Sequence, residues 1–249
     1  GKTVTVNSIT LSDGSNGGLA SNYTISAGQT TTANITGKSL TVSGITAPNK
    51  TYDGNTNAPL DISNISYSGL VSGDDIGGSF TGAFDNKNIG TSKTVSISAS
   101  YSGVDSGNYT VTDQSSTTAN ITARTLTVSG LTASNKTYDA TTSATLDTSN
   151  VSYAGLVSGD SFSGSYTGTF NNANVGTSKL VTISSSYSGD DINNYSITDQ
   201  SSTGADITKA SPTISGLSAQ SKYSDESYTL AGTPSISGLS IAYSSSNTS

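Results

Sequence analysis

Residues 49–58 read NKTYDGNTNA and residues 135–144 read NKTYDATTSA, a second writing of one Lys-Thr-Tyr-Asp word 86 positions after the first. The interval is a repeat, and a repeat governs the whole architecture. Residues 38–123 align with 124–209 without a gap, and 56 of the 86 aligned positions are identical. LTVSG recurs at Leu40 and Leu126, GLVSGD at Gly69 and Gly155, GTSK at Gly90 and Gly176, and TDQSST at Thr112 and Thr198. The flanks belong to the same series. Residues 1–36 match the closing part of a repeat, 92–122, with a short insertion around residues 13–18. From Ala210 the chain opens like another module, with PTISGLSAQSK echoing LTVSGITAPNK, and then departs: Ser224 and Asp225 stand where Tyr-Asp is expected. The organisation read from the repeat is therefore 1–37, the end of one module; 38–123 and 124–209, two complete modules; and 210–249, the start of a different one.

Local patterning is β throughout. KTVTV at Lys2, SLTVSG at Ser39, NISYSG at Asn64, KTVSISASY at Lys93 and NYTVTD at Asn108 alternate polar with apolar residues. Period two in β-branched and aromatic residues is the mark of a half-buried strand. Stretches rich in Gly, Asn and Asp, such as SGDDIGG, punctuate the strands as turns. Many short strands per repeat predict an all-β chain of tandem small antiparallel β-sandwich (Ig-like) modules in a linear array. A β-grasp-like module with one short helix is the alternative.

Composition narrows function mainly by exclusion. The chain has no His, Cys, Met or Trp. Without His or Cys it has no Ser-His-Asp, Cys-His or His-zinc chemistry of its own, so the expectation is that it is not an enzyme. Its 10 Lys and Arg residues are scattered singly and its formal charge is −7. That argues against nucleic-acid binding, which needs a basic patch. No apolar run nears the roughly 18 residues of a spanning helix, so membrane insertion is not expected. The absence of oxidisable Cys, Met and Trp fits an extracellular, cell-surface location.

Four sets of side chains are candidates for a site. In the repeated word, Lys50, Tyr52 and Asp53, with Lys136, Tyr138 and Asp139, are read as a structural signature: the tyrosine plugs the module and the aspartate caps a turn. Used instead as a site, the same tyrosines would stack on sugars. The second set is Tyr67, Tyr101, Tyr153 and Tyr187, which would contact a glycan or host-surface ligand if their rings cluster in the open. The third is acidic. Asp74, Asp75 and Asp105, with Asp160, Asp190 and Asp191, offer oxygens for Ca²⁺. They are not kept in step between repeats, since Asp75 becomes Ser161 and Val104 becomes Asp190, which favours solvated turn acids. The fourth is Lys50, Lys93, Lys136 and Lys179 with Asn34, Asn64, Asn120 and Asn150, which would suit Lys–Asn cross-links.

NKTYDG, GLVSGDD, FDNKNIGTSKTVSI and SGNYTVTDQSSTTANIT together resemble the YDG repeat of very large bacterial surface and secreted proteins, often adhesins of the filamentous-haemagglutinin type. The final segment resembles the MBG-type module that often follows such repeats. The resemblance implies a stalk or fibre in which each module meets its neighbours in the same chain and which projects or links an adhesive region. Multivalent glycan or matrix binding by the repeats themselves is the alternative. Few charges guard the strand edges, which also suggests self-association into filaments. The second copy departs from the word at Ala140, where the first has Gly54. If Gly54 adopts a left-handed backbone, Ala140 is either strained or rebuilt.

Overall fold

The computed structural model describes residues 1–216, 232–235 and 240–242. The chain divides into two compact units, Gly1–Ala123 and Arg124–Ser249. The described residues hold strands, turns and three single-turn 3₁₀ helices, so the chain is all-β.

The first unit opens on an antiparallel pair, β1 (Lys2–Thr5) with β2 (Thr30–Ala33). The first full repeat follows as β3 (Lys38–Ser43), β4 (Lys50–Thr51), β5 (Asn57–Ala58), β6 (Ser66–Ser68), β7 (Gly77–Phe84), β8 (Gly90–Ser102), β9 (Tyr109–Thr112) and β10 (Ser116–Thr122). They form two sheets, one of three strands in the order β6-β3-β9 and one of five in the order β4-β10-β8-β7-β5. Alternation works as the sequence predicts. Along β3, Leu40 and Val42 point inward and are buried, while Ser39 and Thr41 face out. Leu40, Val42, Ile45, Tyr52, Phe84, Val95 and Ile121 make up most of a thin core. The matching positions of 1–37 are not so covered: Val4 is 45% exposed where Val95 is 0%, and Ile35 is 82% exposed where Ile121 is 2%.

The sheets are mixed, which corrects the purely antiparallel expectation. β3 runs parallel to β9 and β4 runs parallel to β10. The reason is a double crossover. Residues 38–51 and 109–122 travel side by side in one direction, and each segment leaves the three-stranded sheet for the five-stranded one. Strand alternation cannot report which neighbour a strand chooses. The two crossings are tied by Gln114, which accepts from the Ile45 N–H at 2.9 Å and donates to the Ile45 carbonyl at 2.6 Å.

The second unit repeats the plan through β11 (Arg124–Ser129), β12 (Thr132–Ala133), β13 (Lys136–Thr137), β14 (Ser143–Ala144), β15 (Leu146–Asp147), β16 (Ser152–Ala154), β17 (Ser163–Phe170), β18 (Gly176–Ser188), β19 (Tyr195–Thr198) and β20 (Ser202–Thr208). The β12–β15 pair corresponds to a single bridge, Thr46 to Asp61, in the first repeat. Val128 and Ile197 of the three-stranded sheet meet Ile183, Tyr166 and Tyr187 of the five-stranded one in a shared cluster, so the inner faces of the two sheets pack together. Gln200 repeats the bridge to the Leu131 N–H and carbonyl at 2.9 and 2.7 Å. Gln200→Ala leaves both of those backbone groups unpaired beside a buried leucine. The expected cost is about 2 kcal/mol, read as an earlier denaturant midpoint with an unchanged slope. Beyond the second repeat, β21 (Ile214–Ser215) pairs antiparallel with β22 (Thr233–Pro234). Ser224 and Asp225, and most of the segment expected to be MBG-like, lie outside the described residues.

Candidate functional site

The repeated word lies on β4 and the loop that returns to β5. The Lys50 side chain is only 10% exposed. Its ammonium stands 5.4 Å from the centre of the Phe84 ring. It donates to Asp53 Oδ1 at 2.8 Å and to the carbonyls of Asn55 and Asn57, each at 2.9 Å, with Asn55 Oδ1 at 3.2 Å. An ammonium has three protons to give, and this loop is wound so that its oxygens converge on them. Asp53 Oδ1 also accepts the Asn55 N–H at 3.2 Å, and Asn55 Oδ1 accepts the Asn57 N–H at 2.9 Å. Lys136 does the same with Asp139 at 2.8 Å, the Thr141 carbonyl and Oγ1 at 2.8 and 3.0 Å, and the Ser143 carbonyl at 3.0 Å. Its ammonium is likewise 5.4 Å from the Phe170 ring. The word is thus a loop wrapped around a cation.

Both aspartates titrate low. Partial burial pushes Asp53 up, but hydrogen bonds from Lys50 and the Asn55 N–H outweigh it. For Asp139 the bond from Lys136 comes first, followed by those from Thr141, and its pKa falls to about 2. A carboxyl with a folded pKa below its unfolded one contributes stability that is complete above the unfolded value and lost as pH falls through the folded one. The second repeat is therefore expected to lose stability between about pH 4 and about 2. Lys136→Met should flatten that part of a plot of denaturation midpoint against pH.

The two tyrosines of the word differ in depth. Tyr52 is fully buried, with the Lys87 ammonium 5.9 Å over its ring, whereas Tyr138 is 37% exposed. Ala173 occupies the position of Lys87 in the second repeat, so no long side chain is available there to cover the ring. Their backbones agree. Tyr52 N–H bonds to the Thr122 carbonyl at 2.9 Å and Tyr138 N–H to the Thr208 carbonyl at 2.8 Å. Gly54 has φ +81° and Ala140 has φ +62°, so the alanine keeps the left-handed turn without rebuilding it. Ala140→Gly should relieve that strain and raise the stability of the second repeat by about 1 kcal/mol, which a shift in the denaturant midpoint would register.

The four tyrosines proposed as ligand contacts, Tyr67, Tyr101, Tyr153 and Tyr187, are half-buried within their modules. Tyr101 donates to Asp113 and Tyr187 donates to Asp199. Burial, then the aspartate, raises the pKa of both phenols. Tyr101 meets Phe80 edge-on with ring centres 6.1 Å apart. Tyr67 lies on β6 across from Val42. Tyr153 and Tyr187 flank Phe162, with ring centres 5.1 and 5.3 Å away, and Tyr166 donates to the Tyr153 hydroxyl at 3.0 Å. The structure brings Tyr153 and Tyr187 together, and their partners Phe162 and Tyr166 were not singled out from sequence. Alternation on β17 was the available signal for Tyr166.

Four of the six acidic candidates, Asp74, Asp105, Asp160 and Asp191, hold hydrogen bonds within their own module. Asp74 Oδ2 accepts from the Tyr109 hydroxyl at 2.5 Å, and the Tyr109 hydroxyl oxygen itself accepts the Val71 N–H at 3.0 Å. Asp160, Tyr195 and Val157 repeat this at 2.5 and 2.9 Å. Asp105 takes the Asp75 N–H at 2.9 Å, and Asp191 takes the Ser161 N–H at 3.0 Å. Among the described residues no three acidic side chains gather as a metal site would require. Lys93 pairs with Asp85 at 2.8 Å and Asn86 Oδ1 at 2.9 Å, and Lys179 with Asn172 at 2.7 Å. Of the asparagines considered for cross-links, Asn120 accepts the Ser92 N–H at 2.7 Å.

Fold and side chains together define a tandem all-β repeat protein whose recurrent polar residues bond within each module. Comparison with protein families matches the YDG domain over residues 36–119 and again over 122–204. The chain belongs to the YDG-domain family. No curated protein and no solved structure matched it.

Proposed function

We infer that this chain is a structural segment of a long extracellular surface protein, its YDG modules forming a stalk or fibre that projects or links an adhesive region. One observation carries the reading. The residues that recur most plainly, Lys50, Asp53, Gln114 and their partners in the second repeat, bond to their own module's backbone rather than converging on a cleft. A repeat whose signature is consumed by folding suits a spacer, in which each module need only stand and join its neighbours. On this reading each module, 38–123 and 124–209, is a small Ig-like sandwich in a linear array. Each adds on the order of 30–40 Å of reach. Residues 1–37 close a preceding module and 210–249 open an MBG-type one, as in adhesins of the filamentous-haemagglutinin type. No catalysis, cofactor or Ca²⁺ is required.

Direct glycan binding by Tyr67, Tyr101, Tyr153 and Tyr187 is the weaker reading, because these rings are half-buried and two of the hydroxyls are already bonded to aspartates. Immunogold microscopy of source cells with antibody to residues 38–209 separates the two. Label spaced along surface filaments is the expected result. Label confined to zones of contact with a host surface would overturn the spacer reading in favour of direct adhesion.

A further inference from the structure

The turn from β7 to β8, residues 85–89, brings an aspartate and an asparagine against a lysine of β8. The Lys93 side chain is only 9% exposed, and its Nζ donates to Asp85 Oδ1 at 2.8 Å and to Asn86 Oδ1 at 2.9 Å. Its stem lies across Gly90, where an added Cβ would come within 3.2 Å of the lysine Cγ and Cδ, so the bare glycine leaves the stem its path. Asn86 Oδ1 also accepts the Asn88 N–H at 3.0 Å, and Asp85 Oδ1 accepts the Asn86 N–H at 2.9 Å. Asn86 is not one of the four asparagines considered from the sequence.

These contacts hold the parts of an amide exchange. An amine that donates to a carbonyl oxygen at 2.9 Å has the carbonyl carbon within about 4 Å, a short movement from the roughly 3–3.5 Å of a reacting pair. The Asn88 N–H points at the oxygen on which negative charge would gather during attack. Asp85 touches the ammonium and can carry its protons. The second repeat keeps every part except the acid. Lys179 donates to Asn172 Oδ1 at 2.7 Å, the Asn174 N–H donates to the same oxygen at 3.0 Å, and Asn171 stands in the place of Asp85.

We propose that Lys93 and Asn86 become joined by an isopeptide bond, with Asp85 as the proton carrier, and that the second repeat stays unlinked. Lys93 Nζ gives a proton to Asp85 and attacks Asn86 Cγ with the freed electron pair. The Asn88 N–H holds the oxyanion. Nδ2 takes the proton from Asp85 and leaves as ammonia as the Cγ–Nδ2 bond breaks. Asp85 then moves the surplus proton of the new amide nitrogen to the departing ammonia, so the products are one amide and one ammonium ion and no other reactant is needed. The bond from Lys93 holds the Asp85 carboxyl below the usual carboxylate range, so the resting pair is ionic and the link forms slowly. The proposal is independent of whether the chain serves as a spacer.

Mass spectrometry of the full chain, aged until its mass is constant, tests it. The mass should fall below the calculated one by one ammonia. A tryptic digest should hold residues 51–87 and 88–124 together through Asn86 and Lys93, uncut after Lys93. Asp85→Asn, which copies the second repeat, should restore the calculated mass with an unchanged circular dichroism spectrum. Asn171→Asp should add a second ammonia loss and leave 137–209 uncut after Lys179. A wild-type chain at its calculated mass, an ammonia loss with Lys93 still cleaved, an Asp85→Asn chain that links as the wild type does, or an Asn171→Asp chain with no second loss would each overturn it.

Discussion

Lys50→Met is expected to destabilise the first repeat by about 3 kcal/mol while leaving the second untouched. Methionine keeps an unbranched apolar stem but removes all three proton donors and the charge beside the Phe84 ring. The carbonyls of Asn55 and Asn57 and the carboxylate of Asp53 then face one another around an empty centre. Water can reach Asp53, which is part-exposed, so the full penalty of an orphaned buried charge does not apply. The backbone oxygens have no such relief within the folded loop. For a module of this size the loss corresponds to roughly 15 °C in melting temperature. Chemical denaturation followed by hydrogen exchange would show amides of 38–123 opening first. Amides that open together in both units would refute the cation-centred account of the loop.

Gly130→Ala should disable the second repeat to a similar degree, for a steric reason. Gly130 has φ +87°, and a Cβ there would sit 2.1 Å from the Asn150 carbonyl oxygen. That oxygen belongs to backbone and cannot swing aside, so β11 and the turn before β16 must part. Left-handed strain and the forced displacement together come to about 3 kcal/mol. Gly44→Ala is the matched change in the first repeat, where the contact would be 2.2 Å from the Asn64 oxygen. The two variants should exchange which unit unfolds first. If Gly130→Ala melts with the wild type, the close approach of these two segments is wrong.

These two residues show how far the chain could be read before it was folded. The glycine of LTVSG and the lysine of NKTYD stood out because they recur, and recurrence marks what every module needs. What they touch was not visible. Lys50 takes carbonyls five and seven residues away, a local arrangement, yet nothing in a Ser- and Asn-rich loop says that its backbone oxygens turn inward. Gln114 was legible only as part of TDQSST, since its partner Ile45 lies 69 residues earlier. Ligand contact by Tyr67, Tyr101, Tyr153 and Tyr187 depended on their rings clustering in the open, and strand alternation locates a face but not how deeply it is covered. Their packing against Phe80 and Phe162 depends on how the two sheets come together.

The sequence by itself determined the β class, the 86-residue pitch and the exclusion of His- and Cys-based chemistry. Each follows from residue type and spacing alone, through side-chain period, repetition and the atoms the chain does not possess. Tertiary structure alone decided the parallel pairs β3–β9 and β4–β10 and the burial of Tyr52 beside the exposure of Tyr138. These depend on which distant segment lies alongside, and a strand's alternating pattern is the same whether its neighbour runs parallel, antiparallel or is missing.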